Sequence, residues 1–309
     1  MSKGFWLGAS VATLSLSVVA LAQRGQAPPN TAPNTAPNTA PNTTPNTAPN
    51  TVSNTTQSDG GVAYIFAGSP VVSDEDAAKN PIPRLPDGKV DLTGPWVGGG
   101  SNSDMERDAG LKPGELPLLP WAKELRDKRR KQDEPYTACL PMSVPRVNPY
   151  PWKFAMSYTS KGLSHIYILH ETGDAGAHRV VYMDGRTHPD DLIPSWWGHS
   201  IGRWEGDTLV VDTVGYNDRF WFDSRGTPHT EQLHTVEKYT RTSWGRLRHE
   251  FTIEDPGAFS RPITMTFTAR LLRPDLKTGG GDLMEFICLE DNQYGAAGKF
   301  VPGTGTSNK

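Results

Sequence analysis

The stretch Ile201-Gly202-Arg203-Trp204, Glu205-Gly206-Asp207, Thr208-Leu209-Val210-Val211-Asp212-Thr213-Val214 decides the fold. Two short apolar runs flank a turn with glycine at its tight position, which predicts a β-hairpin. Outward from it the same grammar recurs. Runs at 163–170 and 178–183 precede the hairpin, the second closed by Asp184-Gly185. Runs at 231–241, 246–254, 262–272 and 283–290 follow it, with Trp244-Gly245 between the first two. No helical period lies between these runs. The pattern predicts an all-β antiparallel meander, closed as a calycin-like barrel or, as the second choice, a sandwich.

Alternation assigns the faces. Leu247, His249, Phe251 and Ile253 share one side of their strand, as do Ile263, Met265, Phe267, Ala269 and Leu271 of theirs. One face is therefore core and the other wet. Before residue 160 the reading is thinner. Residues 91–96 look like a first strand, and residues 120–132 look like one short helix, with Trp121 and Leu125 at i, i+4. The basic run Lys128-Arg129-Arg130-Lys131 reads as a solvated helix end favoured by the macrodipole rather than a docking patch.

The amino terminus has one positive charge at Lys3, an apolar stretch from Phe5 to Leu21, and Ala20-Leu21-Ala22 before Gln23. That is the layout of a cleaved export signal, 1–22. A PNTA/PNTT repeat then runs to about Thr51, and proline every fourth residue blocks both helix and sheet. Residues 23–60 read as an extended, disordered tether, 61–294 as a single β domain, and 295–309 as a flexible tail. Asn42-Thr43-Thr44 and Asn54-Thr55-Thr56 match the glycosylation sequon, which matters only in a eukaryotic secretory pathway.

Composition excludes several classes. Of the 309 residues, 31 are Lys or Arg and 34 Asp or Glu, a net charge of −3, so bulk electrostatics offers nothing to nucleic acid. Once the signal is cleaved, no transmembrane segment remains in the sequence. Two cysteines cannot build an all-cysteine zinc site or a disulfide-dense scaffold. In an exported chain, Cys139 and Cys288 read as a disulfide tying the irregular first half to the last strand. A free catalytic thiol is the alternative.

Several constellations carry chemical interest. Gly198-His199-Ser200-Ile201-Gly202 is a literal G-x-S-x-G, but no helix follows it and no parallel sheet surrounds it. Val97-Gly98-Gly99-Gly100 likewise imitates an oxyanion loop without its leading histidine. Glycines flanking a β-turn explain the match to G-x-S-x-G as well. Candidates for acid–base work are His199 and His234 with Asp212, Glu231 and Glu237, since paired imidazoles and carboxylates move protons near neutrality. All eight histidines fall between His165 and His249, and a metal held across strands by His199, His229 and His234 stays open beside a hydrogen-bonded polar patch. The segment 184–191 has oxygens enough for calcium but lacks the spacing of an EF-hand, and reads as a solvated turn. No cofactor is indicated.

The aromatic-rich stretch holds Trp196, Trp197, His199, Trp204, Asn217 and Trp221, with Arg203, Asp212, Tyr216 and Asp223 among them. Indoles combine apolar area with a hydrogen-bonding tip, which suits the lining of a ligand pocket and suits hairpin packing equally.

The string 196–213, with Tyr216-Asn217, His229-Thr230-Glu231-Gln232-Leu233-His234, the segment 184–189 and Glu254-Asp255-Pro256, resembles a family of exported bacterial proteins of uncharacterised activity. The resemblance spans residues 87–292. It implies export and an all-β domain with a Cys139–Cys288 pair, and it brings no catalytic residue with it. Gly94-Pro95-Trp96 is also similar to the G-x-W of lipocalin-like barrels. The function expected is binding of a small, partly apolar ligand in an aromatic-lined pocket, outside the cytoplasm in the periplasm or medium. The alternatives are a hydrolase or lyase using the His and carboxylate candidates, and a structural envelope protein.

Overall fold

The structure, a computed structural model, describes residues 71–172, 178–273, 282, 283 and 288. All of them fall within the unit Gln57–Lys309. The signal, the tether, both sequons and the tail lie outside the described residues.

Nine strands close a barrel in sequence order. They are β1 (Trp96–Gly98), β2 (Trp152–Thr159), β3 (Gly162–His170), β4 (His178–Tyr182), β5 (His199–Glu205), β6 (Thr208–Val214), β7 (His234–Ser243), β8 (Arg246–Glu254) and β9 (Ile263–Leu271). Closure is completed by β1 against β9, with Trp96 opposite Leu271. A closed barrel leaves no sheet edge exposed. The β5–β6 hairpin forms as the sequence dictates, with Glu205 opposite Thr208 and Gly206 at φ +61° in the turn. A left-handed φ is what glycine tolerates without Cβ strain.

Five details depart from the sequence reading. The barrel is mixed, because β4 and β5 pair in parallel, Val181 with Ser200 and Tyr182 with Ile201. The connection 183–198 supplies the long return that a parallel pair needs. The first strand is Trp96–Gly98 rather than 91–96, since the Asp91 carboxylate captures the Thr93 N–H and hydroxyl in a turn. Strand β2 was not expected from the sequence. Strand β7 starts only at His234, leaving His229 and Glu231 in the preceding loop. Lastly, Cys288 has helical rather than strand backbone; most of 283–290 lies outside the described residues.

Among the described residues the helices are α1 (Asp74–Lys79), α2 (Met105–Asp108) and α3 (Pro120–Lys128). Proline in the first turn of α3 pre-sets its φ where no N–H is needed. The helix ends before the expected Gln132 because Arg129 turns extended. Its guanidinium packs 4.9 Å over the Trp221 ring and donates to the Gly226 carbonyl. The basic run is thus not uniformly solvated. Lys128 pairs with Glu124 and Arg130 with Asp133, while Arg129 closes over an indole.

The inward faces are those alternation assigned. Leu247, Phe251, Ile253, Ile263, Met265 and Ala269 are all buried. Two apolar clusters fill the inside. One, towards the start of β1 and the β5–β6 turn, contains Trp96, Phe154, Ile166, Val181, Leu209 and Leu247. The other, at the opposite end, joins Phe251, Ile253 and Met265 to a cap built from Val144, Val147, Phe220 and Phe222. Each large side chain removed from water contributes about 1.5–3 kcal/mol, and these stacks set the register of the sheet. Cys139 and Cys288 are joined by a disulfide, with Cα atoms 5.8 Å apart.

Candidate functional site

Between the two apolar clusters lies a polar layer. Arg179 of β4 and Glu237 of β7 point inward, and Arg179 Nη1 donates to Glu237 Oε1 at 2.5 Å. They are 1% and 0% exposed. The other Glu237 oxygen accepts from the Tyr239 hydroxyl at 2.6 Å and lies 3.1 Å from His249 Nε2. His249 Nδ1 faces the Gly99 carbonyl, and the His249 ring stacks flat on Tyr239 at 4.4 Å. Burial opposes ionisation of Glu237, but the Arg179 charge and the His249 and Arg179 hydrogen bonds outweigh it. The carboxyl is held well below the usual range. Burial, and then the Glu237 charge, raise the Tyr239 phenol well above its ordinary value, so it remains a donor.

One side of this layer is incompletely satisfied. His170, at the end of β3, is 5% exposed, yet neither ring nitrogen has a hydrogen-bond partner among the described residues. Arg179 Nε, Thr172 Oγ1 and Trp197 Nε1 are likewise buried and unpartnered. The His170 ring stacks at 5.4 Å on Trp197, nearly parallel, and lies 6.5 Å from the Trp152 ring. Burial, reinforced by the Arg179 charge, lowers its pKa to about 3, so it is neutral at physiological pH and presents one donor and one acceptor. A buried polar group without a partner costs about 1–3 kcal/mol, and natural cores contain few. Here one such group, His170, lies beside two indoles.

The sequence-derived candidates separate across the barrel wall. Glu237 faces inward. Asp212, His199 and His234 meet on the outer face, joined by His188 from the β4–β5 connection. Asp212 Oδ1 lies 3.0 Å from His188 Nε2 and 3.1 Å from His234 Nε2. His188 Nδ1 faces His199 Nδ1 at 2.8 Å. Glu231 is exposed in a turn away from them. His229 does not join His199 and His234: it is buried against Phe220, with ring centroids 3.9 Å apart, in the cap. Burial lowers its pKa to about 4. Among the described residues no group of three or more His, Cys, Asp or Glu side chains is placed to hold a metal ion.

The aromatic set also disperses. Trp197 covers His170. Trp196 packs half-buried against the cap cluster. Trp204 lies at the other end of β5, with Lys89 5.8 Å over its ring. Trp221 is sealed under Arg129. Asn217 shapes a turn, its Oδ1 accepting from the Arg219 N–H. Asp223, in the same stretch, holds the cap: its carboxylate accepts from Met105 N, Arg225 N, Thr227 N and Thr227 Oγ1. Ser200, at the centre of G-x-S-x-G, is fully buried and bonded to Thr213 Oγ1 at 2.8 Å, which withdraws it from nucleophilic attack.

Residues that sequence reasoning did not select include Arg179, His170, Thr172, Tyr239, His249 and His188. For those on strands the signal was strand parity. His170 alternates with Ile166 and Ile168, Arg179 with Val181, and His249 with Leu247 and Phe251, so each polar side chain sits on a core-facing position. Comparison with known protein families, with curated proteins and with solved structures finds no match.

Proposed function

We propose that the barrel binds a small, partly apolar molecule at the His170 end of its polar layer. The observation that carries this reading is a buried imidazole with neither nitrogen partnered among the described residues, its ring near those of Trp197 and Trp152. Two further buried donors without a partner among the described residues, Arg179 Nε and Trp197 Nε1, favour an oxygen acceptor on the ligand, and neutral His170 supplies a donor and an acceptor. The charge of Arg179 is already balanced by Glu237, so a neutral hydroxyl, carbonyl or amide group suits the site better than a carboxylate. The indoles would face the apolar remainder.

The disulfide supports work outside the cytoplasm, where such bonds persist. The sequence layout of 1–22 and the resemblance of the 196–213 string to exported proteins favour the same location. No helix among the described residues is long and apolar enough to cross a membrane. Protein purified from its own host and examined by native mass spectrometry is expected to carry a co-purifying small molecule. His170→Phe, which fills the ring's space without its nitrogens, is expected to lack it.

A further inference from the structure

The outer wall holds a second arrangement, separate from the ligand site inside. Glu254, His234, Asp212, His188 and His199 form a line of contacts across strands β8, β7 and β6, the β4–β5 connection and strand β5. The links are His234 Nδ1 to Glu254 Oε2 at 3.4 Å, His234 Nε2 to Asp212 Oδ1 at 3.1 Å, Asp212 Oδ1 to His188 Nε2 at 3.0 Å, and His188 Nδ1 to His199 Nδ1 at 2.8 Å. The carboxylate fixes the protons along one arm. Asp212 accepts, so His188 Nε2 donates. A neutral His188 then has a bare Nδ1, which can only accept, so His199 Nδ1 donates to it. The remaining nitrogen, His199 Nε2, is left with its lone pair, and it takes no hydrogen bond among the described residues. His199 is half-buried, and its ring stacks at 5.0 Å on Tyr182. The Arg186 guanidinium lies 4.0 Å from the Tyr182 ring centre and is paired with Asp184.

We propose that His199 Nε2 is a general base at an outer-wall hydrolytic site for small carboxylic esters, with Asp212 and His188 fixing its tautomer. In the reaction His199 Nε2 takes a proton from water as the water oxygen bonds to the ester carbonyl carbon. The carbonyl electron pair moves to oxygen. When that pair returns, the bond to the alcohol oxygen breaks and the proton on Nε2 passes to the leaving alkoxide. One ester and one water become one acid and one alcohol, and the chain is unchanged. Burial lowers the His199 pKa, which favours the unprotonated ring that a base must be. His165 lies 5.2 Å from Tyr182, and Asp184 pairs with Arg186.

The test uses the full chain and 4-nitrophenyl acetate. The protein is expected to exceed an equal concentration of free imidazole, and the rate is expected to be slower in deuterium oxide. His199→Gln should lose about 100-fold, within the range for a positioned base. His188→Phe should lose about tenfold by releasing the tautomer, and the exposed His178→Gln should leave the rate unchanged. Circular dichroism identifies any variant that fails to fold. A rate no greater than imidazole, a rate equal in both solvents, or a folded His199→Gln with full activity would each overturn the assignment.

Discussion

Arg179 and Glu237 face each other from β4 and β7 across the barrel interior as a fully buried ion pair. No bulk water solvates either charge. Their mutual attraction, with the Tyr239 and His249 contacts, is what makes that burial tolerable. Glu237→Gln keeps the volume and removes the charge opposite Arg179. The expected loss is about 3–5 kcal/mol, read as a fall in the urea midpoint. The double variant Arg179→Met/Glu237→Leu removes both charges and is expected to lose much less. Equal losses in the single and double variants would show that packing, not the uncompensated charge, decides the outcome.

The buried histidines give stability a definite pH dependence. The unfolded chain titrates its imidazoles near the ordinary value of 6.5, while His170 stays neutral down to about 3 and His229 to about 4. Between those limits the unfolded state binds more protons, so stability is fully present above pH 6.5 and is lost as the pH falls. Each ring contributes a slope of roughly 1 kcal/mol per pH unit. Glu237, held low, adds a loss in the same direction below the usual carboxylate range. His234 opposes it, because its hydrogen bond to Asp212 raises its pKa and strengthens the fold as the ring is protonated. Urea midpoints at pH 7.5, 6 and 5 should fall in that order, and His170→Phe should flatten the trend.

Gly198 opens the G-x-S-x-G string for a backbone reason. Its φ is +65°, and a Cβ there would lie 2.7 Å from both the Val214 carbonyl oxygen and Thr213 Cγ2. Gly198→Ala is expected to cost about 1–3 kcal/mol from the left-handed strain and the overpacking together. Thermal denaturation checks it, and an unchanged midpoint would refute the steric account.

Reduction should expose the contribution of the long cross-link. Cys139 and Cys288 are 149 positions apart, and closing so large a loop restricts the unfolded chain by about 3–5 kcal/mol in the chain-entropy model. The Cys139→Ser/Cys288→Ser variant, compared with the oxidised protein in urea, measures it.

Much of the barrel was legible because alternation on β8 and β9 is regular, short apolar runs mark β3, β5 and β6, and the hairpin turns carry glycine. Strand β2 was missed although Trp152 and Phe154 alternate with Lys153, because it follows the proline-rich segment 135–151, which reads as irregular. The parallel β4–β5 pair was invisible for another reason: the direction of a return connection is set by packing, not by local pattern. The outer-wall residues Asp212, His199 and His234 were recognisable by type, and strand parity could separate them from Glu237. His188 could not be placed, since it lies in a connection with no period. The polar layer was legible only as an anomaly, Arg179, His170 and His249 on core-facing positions. A single sequence does not show that these positions converge.

The central claim is that the barrel interior holds a small molecule against His170. Native mass spectrometry of the folded protein from its own host tests this most directly, with the His170→Phe variant prepared in parallel. The account predicts a near-stoichiometric mass increment on the wild-type chain that is absent from the folded variant. A wild-type chain with no increment, or the same increment on both proteins, would contradict it.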